Sequence, residues 1–192
     1  ICKMLYDLYG IENKRLHHYI FNLAKQRGIM DVDSSWDSLA REGILLLGRD
    51  AVKTRGLACD IHFAIQPKFD TSYAQGIKME EDLNEQYVRA QNSFILQGLS
   101  GLDVALHIVL LSVGPNEILE RRKYEQKFLG KKPRSLNIQS IKKEVIYEEK
   151  FFKEISAEAR RYVSTQARIV NNKKGKLLLA LEEIVSFTGL KK

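Results

Sequence analysis

The chain reads as an all-α protein, an irregular multi-helix bundle with one long helix over about residues 138–169 and a short strand pair near 57–66. Three observations lead there. Apolar residues recur at helical spacing over most of the 192 residues. The breakers are few, 12 Gly and 3 Pro, and nothing reads as disorder or as a long linker. Hydrophobic residues make up 44% of the chain, enough for a real core, and no segment is of low complexity.

From the N-terminus, Leu16, Ile20 and Leu23 place a helix over Glu12–Arg27, with Gly28 as its stop. Ser34 and Ser35, with Asp37 three residues after Ser34, mark a helix start at Trp36. The helix that follows turns Trp36, Leu39, Ala40, Ile44 and Leu47 inwards and is weakened by Gly43. Residues 57–65 suit a short strand or a buried helix, and Pro67 ends either one. Leu83, Tyr87, Ala90 and Phe94 predict a helix over Glu80–Gln97, closed by a turn between Gly98 and Gly101. Leu102–Val113 is apolar on nearly all sides, which predicts a central helix surrounded by others.

Gly114-Pro115 then separates two helices, Gly suiting an end and Pro a first position. The second of these runs to Leu129 and stops at Gly130. Ile138, Ile141, Val145, Phe152, Ile155, Ala159, Tyr162 and Ile169 fall on an alternating three–four spacing, broken only at Glu148 and Gln166, and predict the long helix. A turn at Asn171–Gly175 precedes a last short helix, Leu177–Phe187.

Charge divides the chain unevenly. Residues 119–192 hold 19 Lys and Arg against 9 Asp and Glu, and residues 1–118 hold 12 against 15. The expected organisation is a near-neutral helical lobe over 1–114 and a basic one over 115–192, sharing one core. A basic lobe points to an acidic partner, most often a nucleic acid. Placing the stripe of the long helix at the a and d positions of a heptad turns Lys143, Lys150, Lys153, Arg160, Arg161 and Arg168 outwards with one acid, Glu154. Glu144, Glu149 and Glu158 fall at the flanking positions. Aligned cations of one sign make a ridge suited to a phosphate backbone. Loops at either end add Lys131, Lys132 and Arg134, then Lys173, Lys174 and Lys176, and Tyr147 stands outward where it can stack on a base.

The catalytic signals are weak in comparison. Asp31, Asp33, Ser35, Asp37 and Glu42 have the spacing of a calcium-binding loop, but Trp36 occupies the position that needs Gly, so a helix cap is the simpler reading. Asp60, His62, Asp70 and Glu80 lack the tight repeat of a metal site, and no metal or cofactor is expected. There is no phosphate loop, dinucleotide fingerprint or nucleophile elbow. Arg55, six residues and His62 form a spacing that resembles the loose Arg-x(4–6)-His of the HEPN ribonuclease family. That resemblance implies a small helical bundle whose Arg and His act at a cleft between two copies. Gly56 departs from the polar residue that family has after its Arg.

Two cysteines, Cys2 and Cys59, argue against a disulfide scaffold and for a reducing compartment, cytoplasm or nucleus. The chain opens on Ile1 rather than Met and reads as a fragment, and its longest apolar stretch is too short to span a bilayer. The function expected is a non-catalytic nucleic-acid-binding subunit of a larger assembly, with DNA and RNA undecided. The alternative is a protein–protein interaction subunit that docks or self-associates through the long seam, leaving Phe152, Ile155 and Tyr162 for another chain. The third is the ribonuclease with Arg55 and His62.

Overall fold

The computed structural model describes residues 1–32, 34–54, 58–59, 93–130 and 135–190. In order, its elements are α1 (Cys2–Tyr9), β1 (Asn13–Lys14), α2 (Leu16–Gln26), α3 (Trp36–Thr54), β2 (Ala58–Cys59), β3 (Ala105–Ser112), α4 (Pro115–Phe128), α5 (Ile138–Ala159), β4 (Ser164–Asn171) and α6 (Leu177–Thr188). A 3-10 turn, Gln97–Leu99, precedes β3. The fold is mostly helical but carries parallel strands, so the all-α expectation is wrong. Contacts divide the chain into a helical unit, Cys2–Ala105 with Glu158–Ser164, and a sheet unit, Ile1 with Leu106–Ala157 and Thr165–Lys192.

In the helical unit, α2 and α3 pack on each other. Leu16, Ile20, Leu23 and Ala24 of α2 and Leu39, Ala40, Ile44 and Leu47 of α3 are buried. Each large aliphatic among them contributes about 1.5–3 kcal/mol relative to an exposed position. Gly43 weakens α3 as an isolated helix, yet its missing side chain is what lets α2 approach. A Cβ there would lie 3.2 Å from Leu16 Cδ1 and 3.4 Å from Ile20 Cγ1. The Tyr19 hydroxyl donates to Asp50 at 2.6 Å, and Arg27 grips Glu42 through both carboxylate oxygens. Ile95, Leu96 and Leu99 are buried, and Gly98 lies so close to α3 that a Cβ would fall 2.5 Å from the Arg41 carbonyl oxygen.

The strand expected near 57–66 exists at β2, but its partner is β1, in parallel register Asn13 with Ala58 and Lys14 with Cys59. Because 13–14 is drawn into that pair, α2 begins at Leu16 rather than near Glu12.

Two corrections concern the sheet unit. Leu102–Val113 contains not a central helix but strand β3. A short apolar run bounded by Gly101 and Gly114-Pro115, with β-branched Val104, Ile108, Val109 and Val113, meets strand length better than helix length. None of its residues is fully buried. The second correction is the long helix, which stops at Ala159. The Tyr162 amide bonds the Ala159 carbonyl at 3.0 Å in a tight final turn, and residues 164–171 form β4 beside β3. Val163, Thr165, Ile169 and Val170 favour an extended backbone, and pairing with β3 satisfies the groups that a continued helix would have bonded internally. The Asn172 amide donates to the Ser112 carbonyl at 2.8 Å, joining the C-terminal ends of two strands that run the same way.

Val170, Ala180 and Ile184 form the core where α6 covers the sheet, with Val109 and Ile1 packed against them. Phe187 of α6 takes the His107 ring edge-on at 5.5 Å and the Arg168 guanidinium over its face at 5.4 Å. His107 is therefore a packed strand residue, and its buried Nδ1 has no hydrogen-bond partner among the described residues. Pro115 opens α4 as its punctuation predicts, and the Asn137 carboxamide caps α5 by accepting from the Gln139 amide at 2.8 Å. Among the described residues no helix is long and apolar enough to cross a membrane.

Candidate nucleic-acid interface

Charge concentrates in the sheet unit. Its sequence holds 17 Lys and Arg against 9 Asp and Glu, whereas the helical unit holds 14 against 15. Within the sheet unit α5 presents one basic face. Ile141, Phe152, Ile155 and Ala159 are buried on one side, and the 100° step of the helix places Lys142, Lys143, Lys150 and Lys153 on the other, all exposed. Ile146, 67% exposed, sits among these lysines. Lys150 reaches Glu154 at 4.0 Å, and Lys142, Lys143 and Lys153 make no ion pair among the described residues.

None of the other predicted basic contacts among the described residues lies on α5. Arg160 and Arg161 lie in the turn after α5, within the helical unit, and Arg161 pairs with Glu158 at 3.0 Å. Arg168 is on β4, paired with Glu183 at 3.6 Å and stacked on Phe187. Lys173, Lys174 and Lys176 are exposed in the turn between β4 and α6, where Gly175 takes a left-handed φ of 75°, and none pairs with an acid among the described residues. Lys131, Lys132 and Arg134, like Arg55 and His62, fall outside the described residues, as do Asp60, Asp70 and Glu80.

The seam residues proposed for a partner are used by the chain itself. Phe152 and Ile155 are buried. Tyr162 is half-buried, its hydroxyl 2.7 Å from Ser93 Oγ and 3.1 Å from Glu158. Tyr147, expected to face solvent, is half-buried and stacks on Phe151 with centroids 6.5 Å apart. The aromatic rings that do face solvent in this unit are Tyr124 and Phe128 of α4, 56% and 61% exposed. Their four-residue spacing was the only signal in the sequence, and it is as common on covered helix faces. In the apparent calcium loop, Asp31 accepts from the Ser34 amide at 3.3 Å and Glu42 is held by Arg27, so both carboxylates serve local structure.

Between α4 and α5 lies a cleft of roughly 230 Å³ lined by Ile118, Arg121, Arg122, Glu125, Glu144, Val145 and Glu148. Arg122 bonds Glu144 and donates to the Ser135 carbonyl at 2.9 Å. Although its side chain keeps contact with solvent, Glu148 is crowded by the cleft walls. That desolvation, then the charge of Glu144, holds its carboxyl above the usual range, with Arg122 pulling the other way. Glu148 thus lies in the cleft beside the Arg122–Glu144 pair that ties α4 to α5.

No protein-family model matches the chain, and no curated protein does.

Proposed function

We propose that this chain is a non-catalytic nucleic-acid-binding subunit that contacts phosphates through the cations of its sheet unit. The observation that carries this reading is the unbalanced charge of that unit, 17 bases against 9 acids, with exposed lysines on α5 and in the β4–α6 turn. A surface serving only solubility mixes both signs. Lys142, Lys143, Lys153, Lys173, Lys174 and Lys176 have no acid partner among the described residues, so contact with a phosphate breaks no existing pair. Recognition is of the backbone and weakly sequence-specific. Its setting is a larger assembly in a reducing compartment, cytoplasm or nucleus.

Binding of labelled oligonucleotides across a salt series tests this. With six phosphate contacts, log K should fall against log salt with a slope of about −4 on a single strand and about −5 on a duplex. A slope near zero, or no binding at low salt, sinks the reading.

A further inference from the structure

The helix α4 is unusual in its surroundings: none of its 14 residues is buried. Polar ties hold it instead, Arg121 donating to the Asn172 carbonyl at 3.0 Å and Arg122 reaching Ser135 and Glu144. On its outer side Tyr124 and Phe128 stand with ring centroids 4.9 Å apart and planes tilted by 36°. The Lys127 ammonium lies 5.1 Å from the Phe128 centroid, and Leu129, 55% exposed, extends the apolar patch.

We propose that Tyr124 and Phe128 form a stacking platform for unpaired bases, so that the nucleic acid bound is single-stranded; this rests on the phosphate-binding reading above. Charge selects the occupant. Glu117 is neutralised by Arg121 at 2.6 Å and Glu120 by Lys123 at 2.8 Å. Lys127, beside the rings, is exposed and pairs with no acid among the described residues. A ligand that meets aromatic faces and an unpaired ammonium together must carry flat apolar groups close to negative ones, which describes a nucleotide strand. The rings are too close to admit a base between them, which takes about 7 Å, two stacking distances of about 3.4 Å. A base therefore stacks on an outer ring face while Lys127 meets its phosphate. In a duplex both faces of each base are covered by neighbouring bases, so only an unpaired base can use the platform. Sequence tolerance follows, because every base has a π face.

The test uses the full chain at low salt, with fluorescence anisotropy on four ligands of one length: oligo-dT, oligo-U, an abasic phosphodiester strand and a duplex. Both base-bearing strands should bind on the order of tenfold more tightly than the abasic strand. Tyr124→Ala and Phe128→Ala should each weaken oligo-dT and oligo-U on the order of tenfold while leaving the abasic strand and the duplex unchanged. Tyr124→Phe and Phe128→Tyr, which keep a ring, should restore binding. Equal affinity for base-bearing and abasic strands overturns the platform and leaves the phosphate reading standing. So do Ala variants that bind oligo-dT and oligo-U normally, the result expected if the patch docks on a protein. A loss that includes the abasic strand overturns it too, by showing that the rings only support α4. Failure to bind any of the four ligands removes the phosphate reading itself.

Discussion

Replacing Lys173, Lys174 and Lys176 together by Gln isolates the electrostatic part of the proposed binding from the fold. All three side chains are exposed, in a turn whose shape depends on Gly175 and on the Lys176 amide bonding the Lys173 carbonyl at 3.0 Å, a backbone contact that survives the change. None pairs with an acid among the described residues. Stability should therefore stay within about 0.5 kcal/mol. Each phosphate contact contributes about −0.7 to the salt slope on a single strand and about −0.9 on a duplex, so losing three makes the slope shallower by about 2 to 3. Between 50 and 200 mM salt, the affinity ratio then shrinks by about 20- to 40-fold. Lys123→Gln serves as the control, since Lys123 is exposed but already paired with Glu120 at 2.8 Å. Gaining a phosphate there means giving up the acid, and the slope should barely move. Fluorescence anisotropy titrations at five salt concentrations, with thermal unfolding in parallel, measure both quantities. If the triple variant keeps the parent slope, or if Lys123→Gln lowers it as much, the distinction between paired and unpaired cations is refuted.

Two further outcomes concern the scaffold. Gly98→Ala places a Cβ 2.5 Å from the Arg41 carbonyl oxygen and 2.7 Å from Ile44 Cγ2, so α3 or the 3-10 turn must shift, at a cost of about 1–3 kcal/mol. Urea unfolding should show a lowered midpoint, and an unchanged or raised one means that residues 95–99 do not press on α3 as described. Glu148→Gln should stabilise the protein at neutral pH. A carboxyl held above its ordinary range binds its proton more tightly when folded, so its contribution to stability is lost as pH rises through the carboxylate range towards neutrality. The advantage of the Gln variant should vanish near pH 4 and grow towards pH 7, and a variant less stable than the parent at pH 7 contradicts the assignment.

Helix punctuation was legible in the sequence, whereas strands β3 and β4 were not. Gly28 and Gly130 follow helix ends with left-handed φ, and Pro115 opens α4, because these residues act through local backbone geometry. The apolar stretch at 104–113 carries no decisive period, and the stripe beyond Ala159 matched a helix at Tyr162 and Ile169 by coincidence. In β4 it is Val170 that is fully buried, while Ile169 is 39% exposed. Both strands depend on each other across about fifty residues, a pairing that no local pattern reports. The cations were legible as a class, since net charge does not depend on secondary structure. Their alignment was not, because it was inferred from the helix that ends early.

That early end sets the size of the proposed interface. A ridge from Lys143 to Arg168 on one helix would have measured about 38 Å at 1.5 Å per residue. On α5 as it stands, Lys143 to Lys153 spans about 15 Å, which matches four to five phosphates at about 3.4 Å per nucleotide of a stacked strand. The shorter ridge should therefore protect few nucleotides. Titrating oligo-dT of increasing length against the chain, affinity should rise steeply to about five nucleotides and then only by the statistical gain of additional registers. The Lys173, Lys174 and Lys176 triple variant separates the contribution of the β4–α6 turn, since a plateau set by α5 persists without those lysines. Substituting Lys143 and Lys153 by Gln should instead remove the steep phase. A plateau reached only beyond about ten nucleotides, and insensitive to Lys143 and Lys153, would place the binding surface elsewhere than on α5.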